Sequence, residues 1–313
     1  MITNKQVAEV YHLPLMDLVC KAHEVHKEHF DPMAIQASQL LSIKTGGCPE
    51  NCSYCPQSAH YDTGVEKQSL MSIKEVTKLA EKAKKGGASR FCMGAAWREV
   101  KDGPEFEQVI ETVKAVKNLD LEVCCTLGML NSDQATKLKK AGLHAYNHNI
   151  DTSKSYYSDV ISTRNFEDRM RTIQNVRDAG ITVCTGGILG MGETEDDRIS
   201  FLETLVNLSP QPESITINTL VRTKGTPLES LKEIDPTIVV RVVASARILA
   251  PKSMIRLSAG RMDRTELEQF LLFYVGANSI FLGDTLLTSP NPETDIDKKM
   301  FENLDLSFNQ ENV

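Results

Sequence analysis

Short runs of apolar and β-branched residues recur along the chain at LLSIKTG (41–47), SRFCMGA (89–95), LEVCCTL (121–127), LHAYNHNI (143–150), ITVCTGGILG (181–190), SITINTL (214–220), MIRLSAG (254–260) and NSIFLG (278–283), which predicts eight strands. Between them lie stretches with apolar positions at helical spacing, among them SIKEVTKLAEKAKKGG, PEFEQVIETVKAVKNL and NFEDRMRTIQNVRDAG; several start after an Asp or Ser cap and end in Gly. Strands alternating with helices predict parallel βα units, and eight units predict an α/β fold of the closed (β/α)8 type over residues 41–288. A doubly wound open sheet shows the same alternation, so the pattern by itself leaves closure open. Residues 1–40 read as an N-terminal helical extension of one or two helices. Residues 289–313, which open on SPNPETDIDKKM, read as a C-terminal polar tail.

Alternation also assigns faces, because successive side chains on a strand point oppositely. In the third strand Leu121, Val123 and Cys125 share the apolar, outer face, and Glu122, Cys124 and Thr126 the inner one. The same reading turns Phe91, Met93, Ile181, Val183, Ile255 and Leu257 outward. It turns Arg90, Cys92, Thr182, Cys184 and Arg256 inward. Barrel interiors are ordinarily filled by Val, Ile and Leu. Three inward thiols with two inward guanidiniums therefore leave two readings: a polar interior in which Arg256 pairs with Glu122, or a second site whose anionic occupant compensates both cations.

Composition narrows the function classes. The chain has 313 residues, 41% of them hydrophobic and 25% charged, which excludes a disordered protein. A formal net charge of −7 gives no basic surface for nucleic acid. No run approaches the ~18 apolar residues of a membrane span, and the first thirty residues lack a basic stretch followed by an apolar one. A cytoplasmic protein is expected, and in that reducing compartment eight cysteines point to metal, cluster or redox chemistry rather than disulfides.

Cys48, Cys52 and Cys55 stand as C-x3-C-x2-C in GGCPENCSYCPQS, directly after the first predicted strand and hence on the catalytic face of a barrel. Pro49, Pro56 and the glycines exclude a regular helix, so a loop wraps the three thiols around one object. Three thiolates satisfy three irons of a four-iron cluster and leave the fourth open to a small molecule. A zinc site with His60 as fourth ligand is the competing reading. Cys20, His23, His26 and His29 also repeat, but each step of three turns by about 60° on a helix, which spreads them over half its circumference. The glycines of GGILGMGET mark a place where backbone comes close to a ligand.

The C-x3-C-x2-C motif with Tyr54 before its last cysteine resembles the signature of the radical S-adenosylmethionine enzymes. That resemblance implies a [4Fe–4S] cluster on Cys48, Cys52 and Cys55, S-adenosylmethionine on its open iron, Tyr54 near the adenine, and a 5′-deoxyadenosyl radical. The inward thiols, with the blocks RFCMGAAW, YNHNIDTS, GGILGMGET, INTLVRTKGTPL, IRLSAGR and GANSIFLG, are similar to the branch of that superfamily that inserts sulfur into dethiobiotin to make biotin. The likeness runs from about Leu40 to Pro292. It implies a [2Fe–2S] cluster, the sulfur source, held by Cys92, Cys124, Cys184 and Arg256. It further implies Asn149 and Asp151 on the ribose hydroxyls, Arg169 on the methionyl carboxylate, Asn147 and Asn218 on the ureido ring, a flavodoxin or ferredoxin-type electron donor, and a homodimer. Guanidinium has no lone pair to offer, so residue chemistry alone places Arg256 only beside an anion. Two alternatives remain open here: a mutase or methylating homologue, which needs the first three cysteines only, and a zinc-stabilised binding protein.

Overall fold

The helix starts follow from local chemistry. Thr3, Ser72, Asn131, Asn165, Thr194 and Thr265 each accept the third helical amide, while the Gln, Glu or Asp at that third position reaches back to the cap. These reciprocal bonds satisfy amides that would otherwise be orphaned. Pro104 and Pro236 occupy the first helical position, where no donor is lost.

The computed structural model describes residues 1–309. Two helices, α1 (Asn4–Tyr11) and α2 (Leu15–His29), lead into β1 (Ala34–Lys44). Then follow α3 (Ile73–Lys85), β2 (Arg90–Ala95), α4 (Pro104–Lys117), β3 (Glu122–Thr126), α5 (Ser132–Ala141) and β4 (Ala145–Asn147). The chain continues through α6 (Tyr157–Val160), α7 (Phe166–Asp178), β5 (Thr182–Leu189), α8 (Glu195–Val206), β6 (Ser214–Thr219), α9 (Pro236–Leu249), β7 (Met254–Leu257), α10 (Glu266–Tyr274) and β8 (Ser279–Leu282). Successive strands pair in parallel, and β8 returns to β1 through Gln36↔Ser279 to Gln39↔Leu282. The sheet is closed, a (β/α)8 barrel, and the open-sheet alternative is excluded. Among the described residues no helix is long and apolar enough to cross a membrane.

Two boundaries differ from expectation. β1 begins at Ala34, inside the segment read as extension: Ile35 and Ala37 alternate with inward Gln36 and Ser38, but the alternation is short and breaks at Gln39 and Leu40. The carboxyl end is not a loose polar tail. β9 (Thr285–Leu286) and β10 (Ser289–Pro290) form a small antiparallel hairpin, α11 (Thr294–Asn303) buries Met300 and Phe301, and β11 (Ser307–Asn309) pairs in parallel with the start of β1. A buried ion pair between Arg261 and Asp297 ties α11 to the barrel. Its few apolar residues lie among charged ones, so the segment reads as polar by composition although Met300 and Phe301 share its buried face. The remainder of the expected tail, 310–313, lies outside the described residues.

Faces divide as alternation predicts. Phe91, Met93, Val123, Cys125, Val183, Ile255 and Leu257 belong to the core between sheet and helices, where each large apolar side chain contributes about 1.5–3 kcal/mol. Cys92, Cys124, Ala145, Cys184, Phe281 and Leu286 form a separate cluster inside the barrel. At Gly186 in β5 a Cβ would stand 1.9 Å from the Thr216 carbonyl oxygen of β6, so only glycine lets the strands approach this closely. Gly186→Ala is expected to destabilise the fold by about 1–3 kcal/mol and to lower the thermal unfolding midpoint by several degrees; an unchanged midpoint would show that the two strands can separate freely.

Candidate active site

β1 delivers the chain to Gly46 and Gly47, both at φ near +70°, and a Cβ on Gly46 would meet the Glu66 carbonyl oxygen at 2.7 Å. From this turn the loop folds back on itself. The Cys48 amide donates to the Gln57 carbonyl at 2.9 Å, the Ala59 amide to Cys48 at 2.7 Å, and the Cys55 amide to Cys52 at 2.9 Å. The three thiols thereby line one cavity of about 290 Å³, together with Tyr54, Asn147, Asn149, Asp151, Arg164, Arg169 and Asn218. Burial pushes the Cys52 thiol up to about 11 and Cys55 to about 12, and raises Cys48 as well. Such thiols stay protonated at neutral pH unless a metal takes the proton's place. His60 is exposed and its Nε2 hydrogen-bonds the Pro49 carbonyl at 3.0 Å, so it completes no zinc set with the cysteines. Among the described residues no three His, Cys, Asp or Glu side chains are placed to hold a single metal ion.

Deeper in the barrel, Cys92 and Cys124 are register partners on β2 and β3, and Cys184 reaches them from β5; all three are buried. The three thiols are close enough to share protons unequally: interaction with its neighbours and burial raise Cys124, while interaction with Cys124 and the Arg90 and Arg256 charges lower Cys92 and Cys184, Cys184 to about 5, against the opposing effect of burial. Arg90 Nη1 lies 3.6 Å from the Cys184 sulfur, and its Nε donates to Glu122 at 2.8 Å. Glu122 therefore pairs with Arg90 and not, as one reading of the sequence had it, with Arg256. The reason is register: Arg90 and Glu122 are direct neighbours across β2 and β3, whereas Arg256 lies on β7. Arg256 instead donates to Ser279 at 2.9 Å, to Gln36 and Ser38 at 3.1 Å each, and stacks over Phe281 at 4.7 Å. A buried cation whose acceptors are all neutral, beside three thiols, fits an anionic metal–sulfur group. Cys125, one residue from Cys124, faces the outer core, and burial raises its thiol.

The strand ends carry the polar groups. Asn147 Oδ1 and Asn149 Oδ1 are buried without a hydrogen-bond partner, as donors on a polar ligand would require. Asp151, held at φ +67°, is ion-paired with Arg169, whose Nε also donates to the Tyr157 hydroxyl at 3.0 Å. The structure thus couples the two residues that the resemblance assigns to opposite ends of one ligand. Asn218 is partly engaged as a clamp: Nδ2 donates to Gly187 O and Oδ1 accepts from Ala259 N, both at 3.0 Å, leaving one N–H and one lone pair. The close approach marked by the GGILG glycines is to backbone, since a Cβ on Gly187 would stand 2.3 Å from the Asp151 carbonyl. Phe281, Leu286, Glu50 and Arg164 also line the cavity, and sequence reasoning did not single them out. Glu50 sits at a variable position of the three-cysteine motif and Phe281 in a plain strand run, Arg164 belongs to no motif, and Leu286 reaches the inner thiols only through the hairpin after β8.

The discounted histidine run does not converge. Cys20 and His29 are exposed, His23 stacks on Tyr274 at 3.9 Å, and His26 is fully buried, its imidazole pushed down to about 3 chiefly by burial.

Fold and three-thiol loop define a radical S-adenosylmethionine enzyme: residues 42–205 match the Radical SAM superfamily, and residues 216–307 match the Biotin and Thiamin Synthesis associated domain. The solved structure of methylornithine synthase superposes with a TM-score of 0.81 at 17% identity, covering 99% of this chain and 95% of that one. HydG, a maturase of the [FeFe]-hydrogenase, gives 0.83 at 16%, covering 97% and 71%. Biotin synthase of Flavobacterium psychrophilum is 55% identical over 305 residues, which is 97% of this chain and 84% of the relative. Biotin synthase of Cytophaga hutchinsonii is 53% identical over 308 residues, 98% and 91%. The chain belongs to the biotin synthase family, whose members are radical SAM sulfurtransferases. A zinc scaffold, a mutase and a methylating homologue are thereby set aside.

Asparagine tolerates the left-handed conformation of residue 151, so Asp151→Asn removes the charge without adding backbone strain. It is expected to leave Arg169 uncompensated and to cost about 3–5 kcal/mol in urea unfolding. Adding Arg169→Met should recover part of that loss; equal stability of wild type and Asp151→Asn would mean the pair is not buried in solution.

Proposed function

We propose that Cys48, Cys52 and Cys55 hold a [4Fe–4S] cluster with S-adenosylmethionine in the cavity beside it, that Cys92, Cys124, Cys184 and Arg256 hold a [2Fe–2S] cluster, and that the substrate is dethiobiotin. The observation that carries this reading is the second constellation: three buried inward thiols beside an Arg256 that has no carboxylate partner. When bound, these groups supply one-electron cleavage of unactivated C–H bonds, which no side-chain acid or base achieves, and a sulfur atom for the product.

The chain's own residues bind, orient and exclude water. The Arg169 fork suits the methionyl carboxylate, and Asn149 with Asp151 supplies an amide and a carboxylate for a ribose diol. The unpartnered Asn147 oxygen and the free valences of Asn218 suit the N–H and C=O of a ureido ring. Phe281 and Leu286 wall the inner thiols with apolar surface, so a reactive species formed in the cavity meets little water. Arg90, fixed by Glu122, holds positive charge beside Cys184. A one-electron donor of flavodoxin or ferredoxin type is part of this reading. So is a homodimer, to which Met262, Leu267 and Phe270, exposed on and beside α10, offer apolar surface.

Anaerobically purified protein should carry about six irons and six acid-labile sulfides per chain, and Cys92→Ala should lose about two of each while keeping the loop cluster. About four irons, unaffected by Cys92→Ala, would sink the two-cluster reading. In equilibrium binding, Arg169→Met should weaken S-adenosylmethionine by about tenfold or more, the loss of a charge-assisted bidentate contact; unaltered affinity would remove Arg169 from the ligand.

A further inference from the structure

Arg164 belongs to no strand end and to no motif, yet its side chain is only 6% exposed and lines the cavity. Its Nη2 donates to the Cys52 sulfur at 3.7 Å, and its Nε, 3.9 Å from Glu50 Oε2, has no hydrogen-bond partner. Glu50 is itself buried and shared: Arg98 Nη1 lies 3.3 Å from its other oxygen, and the Thr163 hydroxyl donates to it. Two arginines against one carboxylate leave this group with a net positive charge next to the thiol loop. The segment that carries Arg164 is bolted to that loop. The Ser53 amide donates to Val160 O at 3.0 Å, the Ser162 amide to Asn51 Oδ1 at 3.0 Å, and Arg98 Nη1 to Thr163 O at 2.5 Å. These bonds fix the backbone that carries Arg164 against the loop.

We propose that Arg164 is a positioning residue that acts through Cys52. By hydrogen-bonding that sulfur and fixing a cation beside it, Arg164 makes the iron–sulfur cluster of the loop easier to reduce. The inference rests on the cluster assignment proposed above. Reduction adds one electron from a low-potential one-electron donor and makes the cluster more negative by one charge. The guanidinium stays protonated throughout, so no proton moves with the electron. A fixed donor and cation stabilise the added charge in a site of low dielectric, and hydrogen bonds to cluster sulfurs are among the terms that set such potentials.

Arg164→Met removes charge and donor, and Arg164→Gln keeps an N–H donor but not the charge. Both full-length variants would be titrated anaerobically with dithionite and mediators, without S-adenosylmethionine, and followed by EPR of the reduced four-iron cluster alongside iron and sulfide content. The expected result is a lower midpoint in both variants, larger for Met. There the ratio of reduced to oxidised cluster at fixed potential should fall about tenfold, equivalent to about 59 mV for one electron. A role confined to bracing the loop would leave the midpoint unmoved, so an unchanged potential with loop iron retained overturns the inference. Should Arg164→Met lose its loop iron, Arg164→Gln decides by the same criterion. Wild-type protein without a reducible four-iron cluster would instead overturn the cluster assignment itself.

Discussion

Closure of the sheet is the constraint from which the rest follows. Once β8 pairs with β1, every strand has one face toward the helices and one toward a common axis, and side chains alternate between them along each regular stretch. Cys124 and Cys125 are adjacent in sequence, yet one joins the inner cluster and the other the outer core. The same rule gathers Cys92, Cys124, Cys184, Arg90 and Arg256 from β2, β3, β5 and β7 into a single buried volume. No local segment could assemble such a group.

The two sulfur sites are built differently. The first lies on a loop that owes its shape to two left-handed glycines and to backbone bonds from residue 48 across to residues 57 and 59, which bring its three thiols to one cavity. The second is spread over rigid strands and owes its geometry to register. Their electrostatics differ accordingly. Burial raises the loop thiols, which suits them to give up protons only to a metal. Interaction with Cys124 and two guanidiniums lower two of the inner thiols, which favours an anionic group beside them. The cavity at the loop thiols is lined by the polar Asn147, Asn149 and Asn218 and by the apolar Phe281 and Leu286, which also pack on the inner thiols.

Buried charge is the cost of this arrangement, and each cation close to the cavity is handled separately. Arg90 has Glu122, Arg169 has Asp151, and Arg164 shares Glu50 with Arg98. Arg256 alone relies on neutral acceptors and the face of Phe281. Pairing keeps three of them from destabilising the barrel. It also means that an incoming anion competes with a resident carboxylate at Asp151 but with none at Arg256.

Much of this was legible in the sequence because it rests on periods and spacings. The eight strands, their inward and outward faces, the helix caps and the three-thiol loop all follow from patterns a few residues long. What the sequence could not show depends on contacts between distant segments. Closure is a pairing of Gln36 with Ser279; the choice of Arg90 over Arg256 as partner for Glu122 is a matter of register; the first half of β1 alternates only over Ile35 to Ser38 before Gln39 and Leu40 break the period. α11 and β11 gain their order from Arg261 and from pairing with β1, not from their own composition. Arg164 acquires its place beside Cys52 only because loop 50–53 and segment 160–164 are hydrogen-bonded across more than a hundred positions of chain. Local chemistry sets which element forms and which way its side chains point, whereas partnership between charges is decided by the three-dimensional register that brings them within reach.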